Sequence, residues 1–94
     1  PITPDEDDRA LVHRIIYDEL CVGRVSEASR LAYVDVARRL AAKGADCLVL
    51  GCTEVGMLLN EGNSPLPTFD TTLIHADAAV NFALGHLSTA QAAE

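Results

Sequence analysis

Cys52, Thr53 and Glu54 place a thiol, a hydroxyl and a carboxyl group on consecutive residues. A thiol can remove or deliver a proton, because its ordinary pKa of about 8.5 is close enough to neutrality to be brought there. Thr53 adds a hydrogen-bond donor. Glu54 can orient the thiol or exchange a proton with it. The apolar run Cys47-Leu48-Val49-Leu50 and then Gly51 precede the triplet. This order predicts a buried parallel strand, a sharp turn and a short helix over 53–59. In open α/β sheets, ligands bind just beyond the carboxyl ends of strands. A helix starting there offers free N–H groups and positive potential, which favour both a thiolate and a bound carboxylate. The plain alternative is a small buried cysteine in a tight turn.

Other candidates are weaker. Asp70 and Thr71 follow the short apolar stretch Leu66–Phe69, so they also stand at a possible strand end. Capping the next helix is their simplest role. His75 falls in the expected first turn of that helix, either as a neutral hydrogen-bond partner behind the active turn or as a surface side chain. Cys21 and Cys47 read as core, and His13 and His86 as solvated. Cys47 and Cys52 have four residues between them, which is not a C-x-x-C redox spacing. With His75 they do not match structural zinc spacing either, so no metal is expected.

The elements that must carry these residues follow from periodicity and punctuation. Leu11, Val12, Ile15, Ile16 and Leu20 recur at helical spacing, predicting a helix over about 6–21 that stops near Gly23. Its acidic start, Asp5 to Asp8, reads as a solvated first turn that complements the helix dipole. Ser26 is the expected N-cap of a second helix, about 27–43. The inward stripe of that helix would be Ala28, Leu31, Ala32, Val36, Ala37, Leu40 and Ala41. Residues 60–67 form a turn-rich loop. Thr71 or Thr72 caps a last helix over about 73–87, with Ile74, Ala78, Phe82 and Leu87 inward. The tail 88–94 is expected to fray.

This layout is α/β, with helices packed on a short parallel sheet. Two short strands rarely make a stable sheet alone. The sheet is therefore expected to be incomplete in these residues, its remaining strands coming from further sequence, a partner chain or a swapped copy.

Composition narrows the function. The 94 residues carry 7 Lys+Arg against 14 Asp+Glu, a formal charge of −7. That balance disfavours nucleic acid and anionic membrane surfaces as partners. It also repels anionic substrates at long range, so specificity must come from local donors. The opening PITPDEDDRA is polar and acidic, unlike a signal peptide, and no apolar run approaches the roughly 18 residues of a membrane helix. Three cysteines suit a reducing compartment, and the expectation is a cytoplasmic protein.

The stretch GADCLVLGCTEVGMLL followed by LPTFDTTLIHADAAV resembles the carboxyl-terminal half of the aspartate/glutamate racemase family, most of all its broad-range amino-acid racemase branch. DELCVGRVSEASRLAYVDVARRL is similar to the helical pair before the GCTE motif, so the resemblance spans nearly the whole of 1–94. It implies half of a pseudo-symmetric two-domain fold with the active site in the cleft between domains, and no pyridoxal phosphate or metal. It implies two cysteines, one per half, acting on opposite faces of the substrate α-carbon. Cys52 would be the second-half acid/base. Thr53 would bind the α-carboxylate through its N–H and hydroxyl. Glu54 stands where the glutamate-specific branch has His, and would assist proton transfer. His75, Asp70 and Thr71 would lie behind them.

The first-half cysteine has no counterpart here, since neither Cys21 nor Cys47 fits a strand-end C-N-T turn. The chain alone is therefore expected to be inactive or severely impaired, and to work as a homo-oligomer or with an amino-terminal half. Two alternatives stand beside this reading. One is a non-catalytic truncated or domain-swapped oligomer. The other is a related isomerase or decarboxylase, since decarboxylases, cis–trans isomerases and hydantoin racemases share the architecture.

Overall fold

The computed structural model describes residues 1–85. The expectations for His86, Leu87 and the tail fall outside them. Helix α1 spans Glu6–Asp18, with Glu6, Asp7 and Asp8 in its first turn. It ends earlier than its periodicity predicts, because the chain tightens into a 3₁₀ turn at Leu20–Val22. Gly23, at φ 81°, closes that turn, and its N–H donates to the Leu20 carbonyl at 3.1 Å. A left-handed backbone is cheap only for a residue without Cβ. Ile15 and Leu20 are buried, while Leu11, Val12 and Ile16 pack against the core.

Helix α2 spans Glu27–Ala42 and is capped as expected, with the Ser26 hydroxyl accepting from the Ser29 N–H at 3.1 Å. Its inward face is rotated from the predicted stripe. Ser29, Tyr33, Val34, Val36 and Ala37 are buried, whereas Ala28 is exposed and Leu31 is 56% exposed. Tyr33 accounts for the rotation. It has the largest apolar area to bury on this helix, and its hydroxyl donates to the Val12 carbonyl of α1 at 3.0 Å. Ser29 is buried at no loss, because its hydroxyl donates to the Glu19 carboxylate at 2.6 Å.

The two helices form an antiparallel pair tied at both ends. At one end Glu19 accepts from Ser26 and Ser29. At the other, Arg39 forks onto Asp8 at 2.7 and 2.8 Å, and Lys43 pairs with Asp5. The acidic start of α1 is thus not simply solvated: two of its four acids face cations 31 and 38 residues away.

Strand β1, Leu48–Leu50, pairs in parallel with β2, Thr68–Asp70, in the register Leu48–Thr68, Val49–Phe69 and Leu50–Asp70. Leu48 and Leu50 are buried, but Val49 is 68% exposed. The expected strand covered on both faces is therefore covered on one, because alternate side chains leave a sheet on opposite sides. Cys47 lies outside the strand and is exposed, as is Cys21, so neither belongs to the core. Between the strands, the expected helix over 53–59 reduces to a 3₁₀ turn at Val55–Met57. Leu58 and Leu59 behind it fold into the core.

Helix α3 spans Thr71–Ala83. Its cap is Asp70 rather than Thr71 or Thr72, with the carboxylate accepting from the N–H groups of Thr72 at 3.0 Å and Leu73 at 3.3 Å. None of its residues is buried, and Ile74 and Phe82, expected inward, are about half exposed at 52% and 47%. Apolar residues on a helix are buried only where another layer faces them, and among the described residues α3 packs chiefly on β2. The core is Ile15, Leu20, Tyr33, Val34, Ala37, Leu48, Leu50, Leu58 and Leu59. The fold class is α/β, as expected.

Candidate active site

Cys52 stands two residues beyond the carboxyl end of β1, with Gly51 between. The turn that carries it is held by the Val55 N–H donating to the Cys52 carbonyl at 3.3 Å and the Met57 N–H donating to the Glu54 carbonyl at 3.0 Å. With only three 3₁₀ residues following, the turn gains little of the helix dipole foreseen for it. Its electrostatics are set by side chains instead.

The Cys52 thiol donates to Glu54 Oε2 at 3.1 Å, and the Thr53 hydroxyl donates to the same oxygen at 2.6 Å. The structure thus brings together all three residues singled out in the turn. The Thr53 hydroxyl, followed by the Cys52 thiol, holds the Glu54 carboxyl below the usual glutamate range. Glu54 is therefore a carboxylate at neutral pH and accepts both bonds. A carboxylate stabilised in this way is a weak base, so it orients the thiol more readily than it takes its proton. The Thr53 hydroxyl is turned to Glu54, while its N–H meets no partner among the described residues.

Cys52 is half-buried, and its charge bears on Tyr33, which is buried on α2. Burial, followed by the charges of Cys52 and Glu19, pushes the Tyr33 hydroxyl up to about 12. Sequence reasoning missed Tyr33. A lone aromatic on an otherwise Ala- and Val-rich helix was the available signal.

Asp70 and Thr71 lie at the end of β2, beside the same turn. The Thr71 hydroxyl donates to the Leu50 carbonyl at 3.0 Å, a role that no local pattern announces. His75 lies exposed in the second turn of α3, not the first, and among the described residues no hydrogen bond joins it to the Cys52 turn. His13 is exposed and tilts against Tyr17, with ring centroids 4.5 Å apart. An apolar cleft of about 300 Å³ opens beside Tyr33, Val36, Leu48, Val49 and Val55, but Cys52 does not line it. Among the described residues, no three His, Cys, Asp or Glu side chains gather to hold a metal ion, and no helix is long and apolar enough to cross a membrane.

The turn therefore sets a thiol at the end of a parallel strand in an α/β frame and bonds it to an ionised carboxylate. Comparison with known proteins gives the family. A model describing Asp/Glu/Hydantoin racemase matches residues 1–79, and the chain belongs to that family. It is similar to a crystal structure from Yersinia pestis that is provisionally assigned as an Asp/Glu racemase, at 52% identity and a TM-score of 0.80. That match covers 88% of this chain and 36% of the other, so the chain spans about a third of the length of that structure.

Proposed function

We propose that this chain supplies the second acid/base of a cofactor-independent amino-acid racemase of the aspartate/glutamate type, belonging to the carboxyl-terminal half of a pseudo-symmetric two-domain enzyme of the broad-range branch. The observation that carries the reading is the Cys52 thiol beyond β1, held 3.1 Å from an ionised Glu54. In this reaction one thiolate removes the α-proton from one face of the substrate. A thiol on the opposite face delivers a proton, so configuration inverts with no net redox change and no group transferred. The developing carbanion needs donors aimed at the substrate carboxylate, and the Thr53 N–H is the nearest candidate. Glu54 fixes the direction of the Cys52 S–H bond. The opposing cysteine, the contacts that read the substrate side chain and the oligomeric or two-half assembly belong to the remainder of the enzyme. A cytoplasmic setting suits free thiols that must stay reduced.

Proton NMR in D2O tests this. The α-proton signals of L-aspartate and L-glutamate should decay with this chain in a manner abolished by Cys52→Ala. Chiral analysis should show efficient racemisation only once an amino-terminal half with its own cysteine is added. A Cys52-dependent exchange confined to a 5-substituted hydantoin would move the substrate to that branch of the family. No Cys52-dependent exchange, alone or with the other half, refutes the proposal and favours a non-catalytic oligomer.

A further inference from the structure

We infer that Asp70, Thr71 and Gly56 form a two-point clamp that positions the Cys52 turn. The inference rests on Cys52 as the acid/base of the proposed reaction and assigns it three positioning residues, none of which touches the thiol.

The first point lies before the turn. Leu50 ends β1 opposite Asp70 in the parallel register. The adjacent Thr71 hydroxyl donates to the Leu50 carbonyl at 3.0 Å, two residues ahead of Cys52. The second point lies after the turn. A Cβ placed on Gly56 would come 2.6 Å from Asp70 Oδ2, closer than real contacts allow. A carboxylate tip can usually swing away from such a clash. This one is restrained, because its other oxygen, Oδ1, caps α3 through Thr72 and Leu73. Two consecutive residues at the junction of β2 and α3 therefore hold the segment on either side of Cys52, Thr53 and Glu54: Thr71 bonds residue 50, and Asp70 packs closely against residue 56. The gripped segment has no regular helix of its own beyond three 3₁₀ residues. Its orientation is consequently set from β2. The thiol-to-carboxylate distance depends on this grip, since Cys52 and Glu54 meet across the segment's own bend.

The test reads the thiol itself. Iodoacetamide alkylation of the 94-residue chain is followed by peptide-resolved mass spectrometry across pH. The exposed Cys21 and Cys47 serve as internal references. Thr71→Val removes one donor and keeps the shape. Gly56→Ala pushes Asp70 aside. Thr71→Val and Gly56→Ala should each change the Cys52 rate by about threefold or more relative to Cys21 and Cys47, and alter its pH profile. Glu54→Gln should change the Cys52 rate in the wild type and have a smaller effect in Gly56→Ala. A Cys52 rate that does not move, or that moves in step with Cys21 and Cys47, overturns the clamp. If Gly56→Ala fails to fold, Thr71→Val decides. The two proposals fail separately. Alkylation needs no substrate, so a clamp seen without α-proton exchange removes the racemase reading alone. Exchange without the clamp effect removes the clamp alone.

Discussion

Tyr33 offers a quantitative test of how tightly the helical pair packs. Its side chain is 2% exposed and its hydroxyl is bonded to the Val12 carbonyl. Burial, with smaller contributions from the charges of Cys52 and Glu19, raises its pKa from 10.0 to about 12. The neutral phenol is thus the form that the folded state prefers. Below pH 10 both folded and unfolded chains are protonated here, and the interaction contributes in full. Between about pH 10 and about pH 12 the unfolded chain loses the proton and the folded chain keeps it, so stability falls as pH rises. A shift of about two units corresponds to on the order of 2.7 kcal/mol lost once pH exceeds the folded value. Urea unfolding at a series of alkaline pH values, for wild type and Tyr33→Phe, isolates this contribution. Tyr33→Phe should lose about 1 kcal/mol near neutrality from the missing hydrogen bond and then decline less steeply above pH 10. In a Tyr17→Phe background Tyr33 is the remaining tyrosine, and tyrosinate absorbance should give a midpoint near 12. Cys52→Ala should lower that midpoint. A midpoint near 10 in a folded chain, or parallel alkaline decline in wild type and Tyr33→Phe, would refute the burial of Tyr33 between the helices.

Two further predictions concern the frame. The Arg39 guanidinium holds the Asp8 carboxyl below its usual range, chiefly through their hydrogen bonds, so that ion pair stabilises the fold above the ordinary aspartate pKa and is lost as pH falls through the lowered value. Asp8→Asn should therefore flatten the acid limb of stability measured by circular dichroism, and an unchanged acid limb would dismiss the α1–α2 tie. Leu58 is fully buried at the end of the turn that carries Cys52. Leu58→Ala should cost about 2–5 kcal/mol, a large share of the stability of a domain this small. Urea titration should show the loss, and a change under about 1 kcal/mol would mean that the core does not close there.

Much of the local structure was legible because its causes are local. The acidic first turn of α1, the Ser26 cap, Gly23 at a left-handed end and the apolar run before Gly51 act within a few residues of themselves. The placing of Cys52 beyond a strand end follows from the same short-range signals. The GCTE run, read with FDTTLIHA downstream, pointed to the family that the matched residues 1–79 then showed. The face that α2 buries was not legible, because Tyr33 finds its partner 21 residues away on α1. Nor was the exposure of Cys21 and Cys47, since an apolar run does not reveal which of its sides another layer covers. Helix α3 misled for the same reason: it is rich in apolar residues, yet burial depends on what lies opposite. At the site, the sequence alone determined which groups share the turn. The tertiary structure decided that Glu54 bends back to both Cys52 and Thr53, and that Thr71 and Asp70, where β2 passes into α3, meet residues 50 and 56. Propensity and periodicity act along the chain, whereas the orientation of a thiol is fixed across it, by contacts whose partners are chosen only when the sheet pairs.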